Sequence, residues 1–353
     1  MYSETDLTAA VASGAISADA AQALRDHAAA ARMAPQADEE NFRLLSGFND
    51  IFVSIAAVIL LVAMAWIGRA ITPPLGGAAV AAAAWGLAEY FTRQRRMALP
   101  SIILLLAFVG GVAAAQVGLL VDHGEAWLGP HPDERLTSTL AAGIALITAA
   151  AAYCHWRRFM VPITVAVGTA AVAAMVIGLI IAGVGPDLFS KQLILSLVMV
   201  AGVGVFIVAM NWDRSDRSRV TRRSDVAFWL HLLAAPMIAH PLFSLLGVSD
   251  NAAIGVGAAV GVIALYLAFG VIALAVDRRA LLVSALAYVL FAMTRLFEQF
   301  GAVELNVALT ALVIGSSLLL LSAFWQSARR GVLAVLPPGL QQMVPVPASL
   351  VRA

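Results

Sequence analysis

Ten long apolar stretches, separated by loops alternately rich and poor in positive charge, constrain this chain more than any motif in it. They lie at about 51–68, 73–91, 99–121, 137–155, 159–183, 192–211, 226–247, 252–276, 280–297 and 303–325. Each approaches the ~20 residues that a helix needs to cross ~30 Å of hydrocarbon at 1.5 Å per residue. The loops divide the 22 basic residues unevenly: eighteen fall on one side and four on the other. The dense side holds Arg93, Arg95 and Arg96, then Arg157 and Arg158, the run from Arg214 to Arg223, Arg278 and Arg279, and the two chain ends. The sparse side holds Arg69, Arg135, Lys191 and Arg295. Basic loops stay in the cytosol, so both termini are predicted to be cytosolic. A missed or invented span would invert every later loop, so charge alternation and span count support one another.

Composition agrees with this reading. Charged residues make up 12% of the chain and hydrophobic ones 61%, whereas a soluble domain carries about 25% charged residues. The two soluble domains that 353 residues would otherwise suggest are thereby excluded. A net charge of +1 gives no polyelectrolyte argument for nucleic acid, so the expected surrounding is the lipid bilayer. The single cysteine, Cys154, rules out an intrachain disulfide and reads as a small buried filler at a span end. The first apolar run begins near Ile51, after a polar segment, so it is expected to remain as an anchor rather than be cleaved. Arginine replaces lysine almost everywhere and alanine is abundant. This usage suggests a bacterial source with a GC-rich genome, and hence the inner (cytoplasmic) membrane.

The predicted fold is therefore an all-α, polytopic transmembrane helix bundle of about ten spans, preceded by a small helical hairpin. Residues 1–32 form the hairpin: Gly14 stops its first helix and Ser17 caps the second. Being too short to bury a core of its own, the hairpin is expected to dock on a protein partner, a second copy or the membrane unit. Residues 33–50 form an acidic linker and interfacial lead-in, 51–325 the membrane domain, and 326–353 a cytosolic tail with an interfacial helix. Gly257 and Gly261 make a GxxxG pair, and Gly110–Gly111 and Gly202–Gly204 also permit close helix approach. Asp50 is placed to cap the first span, and Glu89 and Arg93 to form an ordinary pair one turn apart.

Three groups of residues stand out as candidate sites. The seventh span carries His231, Pro236, His240 and Pro241. Prolines free backbone carbonyls, and intramembrane ionisable groups are costly enough to suggest function. Together with Gln116 of the third span, these residues outline a substrate or proton pathway. Arg295, Glu298, Glu304 and Asn306 cluster at the outer ends of the last two spans and could line a vestibule. The outer loop around Asp122, His123, Glu125 and His131 holds potential ligands for a divalent metal, at a spacing that fits no named motif.

No phosphate-binding loop, GxSxG, HExxH or CxxC occurs, and no span pairs two carboxylates. The chain is accordingly expected to be neither an enzyme nor a cofactor carrier. Residues Leu7, Gly14, Ile16, Ser17 and Leu24, followed by an acidic linker, FNDIFV, a train of spans and the tail ARRGVLAVLPPGL, carry a resemblance. The chain resembles uncharacterised bacterial polytopic membrane proteins with a short cytosolic helical hairpin, a class defined by a domain of unknown function. The resemblance implies an inner-membrane protein and brings no catalytic residues with it. Transport of a small molecule or ion is the leading expectation. The alternative is a non-catalytic assembly factor, sensor or complex subunit acting through the hairpin and the helix faces.

Overall fold

Within hydrocarbon no water satisfies backbone N–H and C=O groups, and a helix is the only form in which one segment pairs its own. The computed structural model of the chain follows this constraint. It describes residues 4–24, 48–129, 132–184, 190–217, 219, 221–247, 256–299, 306–341 and 343–345, and every regular element among them is helical. The chain divides into two units, Met1–Arg43 and Leu44–Ala353.

In the first unit α1 (Glu4–Ala12) leads through a tight turn into α2 (residues 18–24). Gly14 adopts a φ of 73°, which only a residue without Cβ enters freely. The amides of Gly14 and Ala15 fold back onto the carbonyls of Val11 and Ala10 at 3.0 and 2.9 Å. Ser17 Oγ accepts the Ala20 N–H at 3.1 Å, closing the first turn of α2.

The second unit contains α3 (Phe48–Ile71), α4 (Pro73–Ala88), α5 (Ala98–Leu128), α6 (Glu134–Phe159), α7 (Ile163–Val184) and α8 (Lys191–Ser215). It continues with α9 (Arg222–Leu245), α10 (Val256–Val276), α11 (Ala280–Gln299), α12 (Asn306–Ala323), α13 (Trp325–Val335) and the single turn α14 (Pro338–Gln341). Seven helices are long and apolar enough to cross a membrane: α3, α5, α6, α7, α8, α9 and most of α10. A 76° bend separates α12 from α13, and the pair counts as an eighth crossing if taken together. Two expected spans are shorter than the sequence suggests. The α-helical part of α4 ends after 16 residues, where Glu89–Gln94 widens into a π-helical turn. The apolar part of α11 covers only Leu281–Thr294.

Sequence neighbours pack in pairs: α3 on α4, α4 on α5, α6 on α7, α8 on α9 and α10 on α11. The tightest crossing lies between the glycines of α4 and α5. A Cβ built on Gly77 would stand 2.2 Å from the Ala115 nitrogen, and one on Gly111 would stand 2.7 Å from the Ala81 nitrogen. Gly118 sits against Pro73 and Pro74, so the two helices run antiparallel. Lipid tails are as apolar as leucine, so close backbone contact of this kind replaces the hydrophobic effect as the source of helix association. Gly202 plays the same part between α8 and α9, with Met237 Cβ 2.8 Å from its built Cβ. Gly110, Gly204 and Gly257 have open space in that position, so the GxxxG pair of α10 does not mark a close crossing.

Large apolar side chains such as Phe52, Ile59, Trp66 and Ile67 of α3 face outward, as a lipid-facing surface requires. Cys154, expected as a buried filler, is exposed. Helix α9 is the exception to this outward orientation. Half of its most apolar stretch is buried inside the protein, against a third or less for the other six long helices. It packs on α7, α8 and α11 and runs unbroken from Arg222 to Leu245 with Pro236 and Pro241 inside it. Phe243 near its end stacks on Tyr288 of α11 at 4.5 Å and meets Phe269 of α10 edge-on.

Candidate functional site

The polar features of the second unit concentrate where α8 ends and α9 begins. Asp216 follows α8, and its Oδ2 accepts both the Thr221 N–H at 2.9 Å and the Thr221 hydroxyl at 2.6 Å. Thr221 Oγ1 in turn accepts the Arg223 N–H and caps α9. This short return brings the last turn of α8 beside the first turns of α9, and Asp213 beside His231.

Asp213, His231 and Arg278 are 0, 1 and 2% exposed. Asp213 Oδ1 accepts from Arg278 Nη2 at 2.5 Å, while Oδ2 lies 2.9 Å from His231 Nε2 and 3.4 Å from Arg278 Nε. Arg278 Nη2 also donates to the Ser224 carbonyl at 3.1 Å. Arg278 reaches this position because Asp277, with a φ of 59°, turns the chain sharply after α10. Aspartate is among the few residues that tolerate the left-handed region. A charge taken out of water needs partners for each of its polar atoms, and this carboxylate has them. His231 Nδ1 does not: it is buried without a hydrogen-bond partner, and the ring meets Phe206 edge-on.

A second layer surrounds Asp277. Its Oδ2 accepts from Arg219 Nη1 at 2.8 Å and its Oδ1 from Trp325 Nε1 at 2.8 Å, with Arg329 Nε 3.7 Å away. Arg219 also donates to the carbonyls of Val276 and Asp277, and Arg329 to that of Leu274. These are carbonyls at the end of α10 that its own helix leaves unpaired, and basic side chains commonly satisfy such groups. Arg329, 1% exposed, also holds the Pro345 carbonyl at 2.8 Å. Arg217 reaches the carbonyls of Val344 and Gln341. The network thus ties α8, α9, the α10–α11 turn, α13 and the chain after it. The arginines read from sequence as orientation signals are here buried or half-buried structural partners as well.

At the opposite end of the α8–α9 pair the helices part. A cleft of about 240 Å³ lies between Lys191, Gln192, Ser196 and Met199 of α8 and Pro241 and Ser244 of α9. One helix pair is therefore fastened at one end and open at the other.

The sequence-predicted residues fall in different places. His231 belongs to the buried network. His240 is exposed and hydrogen-bonded through Nδ1 to Tyr288 Oη at 2.6 Å. Pro236 is exposed, whereas Pro241 is buried and borders the cleft. Gln116 donates to the Val112 carbonyl of its own helix at 3.2 Å. His123 stacks on Trp127 with its Nδ1 3.6 Å from Asp122, while His131 lies outside the described residues. Among the described residues no group of three or more His, Cys, Asp or Glu side chains stands close enough to hold a metal ion. Of the vestibule residues, Arg295 and Glu298 fall in α11 and Asn306 opens α12, with side chains outside the described set, as is Glu304 altogether. Asp50 is buried in the first turn of α3.

A smaller polar contact joins α4 to α6. Glu89 accepts from Arg158 Nε at 2.6 Å and Nη2 at 2.9 Å, as well as from Arg93 Nη1 at 3.1 Å. Beside it His155 is fully buried against Trp85, Phe108 and Phe159, with Thr164 Oγ1 3.4 Å from Nδ1 and no partner on Nε2. Neither His155 nor the long-range partner of Glu89 stood out in the sequence. Compared with family models, with curated proteins and with solved structures, the chain matches none.

Proposed function

We propose that the chain is an inner-membrane transporter of a small molecule or ion, crossing the bacterial membrane ten times with both ends in the cytosol. The resemblance to bacterial polytopic proteins and the charge alternation support the placement. The observation that carries the transport reading is the asymmetry of α8 and α9: locked through Asp213, His231 and Arg278 at one end, open as a cleft at the other. On this placement the lock faces the cytosol and the cleft faces outward, the geometry of an outward-open state. Release of the lock would let α9 move about its two prolines, and the cleft would close as the cytosolic end opens.

Single cysteines in a Cys154→Ser background test this. A Ser196→Cys variant should react quickly with a membrane-impermeant thiol reagent added outside, and Val226→Cys should be protected from the cytosolic side. Adding Asp213→Asn should slow the first reaction and speed the second. If the Ser196→Cys rate is indifferent to Asp213→Asn, the network is only a staple and the transport reading fails.

A second reading rests on the separation of residues 1–43 as a unit of their own. A docking module attached to a membrane scaffold would have this organisation. It requires that deletion of residues 1–32 abolish self-association or partner binding while the remainder stays folded and monodisperse.

A further inference from the structure

We infer that an anionic phospholipid seats between α11 and the α12–α13 bend, with its phosphate on Arg279 and part of an acyl chain in the adjoining groove. The groove measures about 140 Å³, and its walls are Leu282 and Leu286 of α11 and Leu318 and Leu321 of α12. That is close to the ~150 Å³ of an engineered apolar cavity that holds a benzene ring, so it accommodates a short stretch of hydrocarbon. Its mouth is different in character. Arg279, Ser322 and Trp325 close one end.

The Arg279 guanidinium carbon stands 4.8 Å from the centre of the Trp325 ring. Trp325 is itself fixed, being 3% exposed and hydrogen-bonded to Asp277. The stack holds the cation at the groove's end, where a headgroup would lie if an acyl chain filled the groove. Three further features set the same level. Tryptophan favours the boundary between hydrocarbon and headgroups. The chain bends by 76° at this point. Helix α13 then runs on with Val335 strongly exposed and Arg330 exposed on its surface, as an interfacial helix does. A guanidinium offers a phosphodiester two parallel donors and keeps its charge at any physiological pH. A zwitterionic lipid carries the same phosphate with a cancelling ammonium group, so the charge complementarity selects an anionic headgroup.

The test uses the full chain in detergent, titrated with phosphatidylglycerol or phosphatidylcholine and read by native mass spectrometry as lipid retained per protein. The expected result is one retained phosphatidylglycerol with about a fivefold preference over phosphatidylcholine, the contribution of one basic residue at an anionic surface. Arg279→Gln should abolish the preference, and Arg93→Gln, at the far α4 turn, should leave it intact. Leu286→Trp fills the groove and keeps the Arg279–Trp325 stack, so it should lower retention of both lipids, and it carries the test if Arg279→Gln does not fold. Equal retention of the two lipids by the unaltered protein would overturn the proposal, as would a preference that survives Arg279→Gln or retention undiminished by Leu286→Trp. Displacement of the lipid by inorganic phosphate alone would also overturn it, since the site would then be one for free anions.

Discussion

Replacing Asp213 with alanine should destabilise the second unit by about 3–5 kcal/mol, the cost of removing one partner of a buried ion pair. The penalty arises from what is left behind. The Arg278 guanidinium remains 2% exposed with the Ser224 carbonyl as its principal remaining acceptor, and His231 Nε2 joins Nδ1 as a buried polar atom without a protein partner. The measurement is equilibrium unfolding in mixed micelles, followed by far-ultraviolet circular dichroism. The double variant Asp213→Ala with Arg278→Met should recover much of the loss, because replacing both charges of a buried pair with apolar groups is often neutral or better. Residues in direct contact are expected to couple by ~0.5–3 kcal/mol in such a cycle. Additive losses would show that Asp213 and Arg278 contribute independently, and that the α10–α11 turn is held by something else. The same cycle bears on function. A lock that must open cannot be too stable, and a ligand moves a two-state equilibrium only by its differential affinity for the two states.

The class of fold was legible because it depends on sums. Apolar length and loop charge are properties of long segments, and no single contact alters them. The network at Asp213 was not legible, and the reason is physical. Arg219, Arg278 and Arg329 satisfy an orientation rule and a pairing rule together, and the first accounts for their presence without calling on the second. A local signal was available. Aspartate immediately precedes arginine at 213–214, 216–217 and 277–278, within loops whose only expected task was to carry positive charge. A carboxylate weakens that task as a matter of local charge balance, so three such pairs in two loops indicated side chains turned toward one another. His231 was picked out as ionisable within a span, but its carboxylate partner lies 18 residues earlier, on another helix. His240, chosen by the same rule, faces outward to Tyr288, because nine residues carry it around a straight helix to a different side. The weakest of the expected spans, the alanine- and glycine-rich α4, holds the closest packing. Low side-chain bulk weakens a hydropathy signal and is the condition for backbone contact.

That last point yields the second large effect. Gly77→Leu should separate α4 from α5 and cost at least the upper part of the ~1–3 kcal/mol typical of overpacked cores. Even the first added carbon meets backbone: the Ala115 nitrogen at 2.2 Å, the Gly111 carbonyl oxygen at 2.6 Å and the Ala114 carbonyl carbon at 2.7 Å. Backbone in the middle of a helix cannot rotate aside as a side chain would, so the two helix axes must move apart. Movement there strips contact from Ala81, Ala84 and Leu104, which are buried in the same layer. Gly110 is the control. It neighbours Gly111 in sequence but has nothing within 4 Å of a built Cβ. Gly110→Ala should therefore be neutral or stabilising by the ~0.5–1 kcal/mol that alanine gains over glycine within a helix. Unfolding midpoints of the two variants in the same micelles decide the matter. If Gly77→Leu and Gly110→Ala shift the midpoint alike, the α4–α5 crossing is not the close contact that joins these helices. If they diverge as expected, the small residues of α4 are retained for proximity to α5, and its low hydropathy is the consequence.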